Sequence, residues 1–178
     1  SSDVCSSDLL EIKGRKGQRI TARHAEVLLN GELFTKPLRS AKAKLEYVCG
    51  GEEETYCPKF TFMGFRSAEL CGIEPENVKV RMKVISSIDE ETGDFFCSNE
   101  SINRLQKNIR YSGFSNFLEI PTDCPQRDER LGWTGDISVF ASTACFNFNM
   151  NRFLRKWLID VKAQQTKDGG IPVVVPRV

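Results

Sequence analysis

The apolar residues of this chain keep two different periods, one in each half. From about Arg19 to Ile88 they recur at every second position or in short runs: RITARHAEVLL, AKLEYVC, YCPKFTFMGFRSAEL and NVKVRMKVI, with Val78, Val80, Met82 and Val84 alternating in the last. Successive side chains of a strand point to opposite faces, so this period predicts strands of a mostly antiparallel sheet. Gly50 and Gly51 with the acids Glu52 to Glu54 predict one turn, and GIEPEN predicts another. After DEETGDF the spacing becomes helical. Ser98 is placed to cap a helix whose apolar face is Ile102, Leu105 and Ile109. A second helix is predicted from near Asp136 with Val139, Phe140 and Ala144 inward, and a third from about Asn151 to Gln165 on Phe153, Leu154, Trp157, Leu158 and Val161. A run of strands followed by a run of helices means α+β or two separate domains, with the change near residues 89 to 97.

With 40% hydrophobic and 28% charged residues, the 178-residue chain has the composition of a globular protein able to bury a core. The net charge of +1 points to neither nucleic acid nor an anionic membrane surface as partner. No apolar run reaches the roughly 20 residues needed to span a bilayer. Seven cysteines, an odd number with no C-x-x-C pair, support neither a zinc site nor a redox motif, and favour a reducing, cytoplasmic setting over a disulfide framework. The opening SSDVCSSDLL lacks the basic and apolar regions of a secretory signal and resembles a translated sequencing adapter. Residues 1–9 are therefore set apart from the fold, and the natural protein is expected to extend upstream.

The densest chemistry lies in PTDCPQRDERLGWTGD, Pro121 to Asp136, between two helical segments. Four carboxylates (Asp123, Asp128, Glu129, Asp136), two arginines (Arg127, Arg130) and Trp133 share sixteen positions with Pro121, Pro125, Gly132 and Gly135, which fix or free the backbone. On composition alone, an ion-pair network bracing helix ends is the commoner explanation. The same inventory suits a sugar, whose hydroxyls meet carboxylates and arginines and whose C–H face meets an aromatic ring. Cleaving a glycosidic bond also needs a carboxylic acid that stays protonated, and crowded like charges raise one acid's pKa while an arginine keeps another ionised. Sequence does not choose between Asp128 and Glu129 for that acid. With no patterned acidic loop and no nearby histidine, metal binding has little support.

PTDCPQRDERLGWTGD resembles, without a break, the signature of the bacterial α-L-rhamnosidases of glycoside hydrolase family 78. PKFTFMGFR is similar to the end of the β-sandwich that precedes the catalytic domain in that family, and FLRKWLIDVKAQQTKDGGIPVVVP to the helix and loop after the signature; the likeness spans about residues 15 to 178. It implies the C-terminal part of an antiparallel β-sandwich over residues 10–92, followed over residues 93–178 by the first helices of an (α/α)6 toroid. It further implies inverting hydrolysis of terminal α-L-rhamnose from a rhamnoside, with no cofactor. By resemblance Glu129 is the general acid, Asp123 and Asp136 bond sugar hydroxyls, Arg127 contacts the sugar and tunes the acids, Trp133 packs on the ring, and Asp128 gives support.

Inversion needs a second carboxylate as base, roughly 6.5–9.5 Å from the acid. In the family that base lies beyond the position of Val178, so the chain is expected to hold the acid alone. A carbohydrate-binding protein without catalysis, or another α/α-toroid glycosidase, are the rival readings, and a downstream glutamate discriminates between hydrolysis and binding. Elsewhere structural roles are expected: Phe60, Phe62 and Phe65 in the sheet core, Trp157 in a helix core, GEEE as a solvated turn, Cys124 and His24 as structural groups. Gly169, Gly170 and Pro172 are read as shaping a loop, with an approach to the same pocket left open.

Overall fold

The computed structural model describes residues 4–177. They form two compact units, the first running through Ile85 and including Gln126–Asp128, the second containing Ser86–Pro125 and the residues from Glu129 onward.

In the first unit β1 (Val4–Lys13) is a central strand. It pairs antiparallel with β6 (Glu53–Tyr56), β7 (Met63–Phe65) and β9 (Val78–Val84), with Leu10 opposite Tyr56 and Ile12 opposite Val78. A second sheet has β2 (Arg19–Ala25) between β5 (Lys44–Val48) and β8 (Ser67–Cys71), both antiparallel to it. Leu10 and Ile12 of β1, Ile20 of β2 and Cys49 form the buried core, flanked by Tyr47, Tyr56, Leu70 and Val78. Two facing antiparallel sheets over one apolar layer are a β-sandwich. The short hairpin β3 (Val27–Leu29) and β4 (Glu32–Phe34) turns on Asn30 and Gly31, both at positive φ, the pair that a tight primed turn requires.

Several expectations for this half change. Val4–Leu9, set apart above, are strand residues, and Asp8 is buried with its Oδ2 2.6 Å from His24 Nε2. His24 also holds the Ala43 carbonyl through Nδ1 and packs on Phe65, consistent with a structural role. Phe65 is core, but Phe60 sits fully exposed at positive φ, outside the strands that would have buried it. Val80, Met82 and Val84 are exposed although they alternate, and among the described residues β9 pairs with β1 alone. GEEE is more than a solvated turn: Glu53 and Glu54 open β6, and Glu54 Oε1 accepts the Gly50 and Gly51 N–H groups at 2.6 and 3.0 Å while Oε2 accepts the Tyr47 hydroxyl.

In the second unit, α1 (Glu100–Asn116), α2 (Thr134–Asn147) and α3 (Asn151–Gln164) are the helices among the described residues. The cap of α1 is Asn99, one residue past Ser98, whose Oδ1 accepts the Ser101 N–H at 2.9 Å. Phe117, Ala144, Phe148, Phe153, Trp157 and Val161 form the centre of the core. Ile102 and Leu105 on α1, Val139 on α2 and Leu158 on α3 are exposed, against expectation. The helices pack through one face each, and helical spacing alone does not say which of two apolar flanks has a partner. The segment before α1 is tied to helix ends, with Thr92 N–H donating to Asn147 O and Ser87 N–H to Phe117 O. None of these helices is long and apolar enough to cross a membrane.

Candidate active site

The signature begins where α1 ends. A minimal hairpin, β10 (Phe117–Leu118) and β11 (Ile120–Pro121), reverses the chain around Glu119, which has positive φ. Thr122 then donates its N–H to Asn116 O at 2.9 Å, and its hydroxyl reaches the same carbonyl at 3.2 Å. These bonds fix the entry of Asp123. Asp123 Oδ1 accepts the Leu131 N–H at 3.1 Å, so this carboxylate closes the loop formed by the residues between them. Within that loop Cys124 and Pro125 are buried, and Arg130 donates to Pro125 O.

Past Leu131 the chain meets the segment that follows α3. Gly132 packs so closely on Val175 that a Cβ there would lie 2.1 Å from the Val175 oxygen, which explains glycine at this position. Trp133 bridges Val174 and stands at the N-cap of α2, with its indole Nε1 buried and lacking a hydrogen-bond partner among the described residues. Asp136 lies in the first turn of α2, where the helix dipole favours a negative charge.

A cleft of about 530 Å³ opens beside this segment, entirely within the second unit. Asp123 and Asp136 both line it, with Asn116, Thr122, Phe117 and Phe140. The structure thus brings two of the five expected site residues together over a largely apolar wall. Glu129 and Trp133 are partly buried in the same unit but outside the cleft lining, and Arg127, partly buried, groups with the first unit.

Asp128 is chemically distinct from its neighbour. The Ser40 hydroxyl and the Ser40 N–H, the latter at 3.2 Å, donate to its Oδ2, and Arg39 Nε lies 3.6 Å from Oδ1. The Ser40 hydroxyl bond, followed by the Ser40 N–H bond and the Arg39 charge, holds this carboxyl below its ordinary value of 3.8. An acid held ionised in this way cannot keep a proton for a leaving group at neutral pH.

Residue 90 to residue 178 match the model of the bacterial alpha-L-rhamnosidase 6 hairpin glycosidase domain, and residues 6–89 that of the bacterial alpha-L-rhamnosidase concanavalin-like domain. The chain belongs to the bacterial α-L-rhamnosidase family. An α-L-rhamnosidase of Streptomyces avermitilis is 44% identical over 99% of the chain, which spans 18% of that protein's length. Crystal structures of the Streptomyces avermitilis rhamnosidase complexed with L-rhamnose and of the native Aspergillus terreus rhamnosidase superpose with TM-scores of 0.89 and 0.90, at 41% and 42% identity. Each is covered over 99% of this chain and, respectively, 18% and 21% of its own. The matched spans are accordingly a rhamnosidase sandwich domain and part of a six-hairpin domain, and they meet at 89/90.

Residue-level reading of the sequence missed two contributors. Asn116 and Thr122 line the cleft, and their signal was the polar pair flanking a short apolar hairpin. Pro172 and Val173, in the loop noted beside Gly169 and Gly170, bond Thr134 directly.

Proposed function

We propose that the complete protein containing this chain is an inverting glycoside hydrolase that removes terminal α-L-rhamnose from rhamnosides. The observation that carries the reading is the joint placement of Asp123 and Asp136 in one cleft of a rhamnosidase-family domain. Two carboxylates above an apolar wall suit a ring with hydroxyls on its edge and C–H groups on its face. Glu129 is the proton donor to the leaving oxygen. Asp128, bonded to Ser40 and beside Arg39, is left a bracing role. Arg127 and Trp133 contact the sugar, as the family positions imply. The opposed base that activates water is supplied by protein outside these 178 residues.

The test is incubation of the complete protein with aryl α-L-rhamnosides and with aryl glycosides of other sugars, followed by proton NMR of the released sugar. Release from the rhamnosides with β-L-rhamnose formed first is the expected result. Comparable release from other sugars would overturn the substrate assignment, and α-L-rhamnose formed first would overturn inversion.

A further inference from the structure

The N-terminus of α2 has no side-chain cap, although the signature starts that helix. The first N–H groups of any helix need acceptors from outside it. Here an acceptor comes from the segment after α3. Thr134 N–H donates to Val173 O at 3.0 Å, and its hydroxyl lies 3.0 Å from Pro172 O and 3.2 Å from Val173 O. Val175 N–H returns a bond to Gly132 O at 2.9 Å, and Trp133 bridges Val174. Trp157 of α3 locks the far end, its indole Nε1 donating to Val175 O at 3.1 Å in a buried bond.

Pro172–Val175 is therefore a strap laid along Gly132–Thr134, closed by close backbone approach at Gly132 and anchored to α3 by Trp157. The residues between the anchors include Trp133, and Asp136 follows within one helical turn. We infer that Thr134 is a positioning residue: its hydroxyl ties the strap to α2 and thereby holds Trp133 and Asp136 in place for the rhamnose ring. The inference rests on the proposed function. Thr134 touches no sugar in this account and acts through its two neighbours. Small misplacements of binding groups weaken ligand contact without altering the proton donor.

The experiment compares the complete protein with Thr134→Val, which keeps the shape and removes the hydroxyl, and Thr134→Ser, which keeps the hydroxyl. Losing one partly buried hydrogen bond should raise KM for aryl rhamnosides about fivefold with kcat little changed. Poor and activated leaving groups should be affected alike, and Thr134→Ser should restore the parent KM. A Thr134→Val protein with lowered melting temperature but unchanged KM would overturn the inference, as would failure of serine to rescue. Amide hydrogen exchange at residues 133 to 136 and at Val175 gives a readout independent of the substrate. Faster exchange in Thr134→Val supports the strap and unchanged exchange refutes it. A parent protein without turnover on any rhamnoside would instead sink the rhamnosidase reading, and the exchange comparison would then decide the strap by itself.

Discussion

Asp128 and Glu129 are adjacent in the chain, and Asp128 is bonded to Ser40, 88 residues away. No local pattern reveals Ser40, so the sequence left the choice of acid open, and the motif resemblance alone favoured Glu129. The Ser40 bonds make a prediction of their own. Asp128 has a folded pKa below its unfolded value, so the stability it contributes is fully present above about pH 4 and is lost as pH falls through the folded pKa. The melting-temperature difference between parent and Asp128→Asn should therefore be largest near neutrality and shrink below pH 3.8. A difference that stays constant into strong acid would show that the carboxylate is not held by Ser40 and Arg39. That Asp123 and Asp136 share a cleft was not legible in the sequence, since it depends on the hairpin after α1 and the start of α2.

At the scale of elements, α1 shows what periodicity can and cannot say. Ile102, Leu105 and Ile109 correctly mark a helix, but the helix buries Gly113 instead, against the Phe148 ring, and leaves Ile102 and Leu105 exposed. A Cβ on Gly113 would lie 2.5 Å from Phe148 Cε2, and Phe148 is itself enclosed by Phe114 and Phe117. Alanine in a helix interior is favoured over glycine by about 1 kcal/mol, whereas overpacking a core costs about 1–3 kcal/mol. Gly113→Ala should therefore destabilise the protein by about 1 kcal/mol net, a melting-temperature decrease of a few degrees. An increase would mean that α1 does not meet Phe148 as described. The strands were legible wherever alternation ran long. The Asn30-Gly31 hairpin carried a local turn signal that the pattern of apolar residues hid, because Val27, Leu28 and Leu29 read as a continuation of β2.

At the scale of the whole molecule, the family was legible because its signature is contiguous, sixteen residues whose identity needs no tertiary information. The helix faces were not, because Val139, Phe146 and Ile159 are apolar yet exposed, and the chain spans 18% of the Streptomyces rhamnosidase. Exposed apolar surface on this scale drives association. Purified residues 1–178 should accordingly self-associate in light scattering and, on the proposal that the opposed base lies outside them, release no aryl alcohol from an aryl α-L-rhamnoside. A monodisperse monomer with turnover abolished by Glu129→Gln would show that the chain carries its own base. The central claim is that Glu129 protonates the leaving oxygen, and leaving-group dependence tests it most directly. In the complete protein, Glu129→Gln should depress kcat/KM for rhamnosides with poor leaving groups by about 10²–10⁴-fold, the usual contribution of general acid catalysis, and far less for activated aryl rhamnosides that need little protonation. Equal losses on both classes of substrate would contradict that role for Glu129.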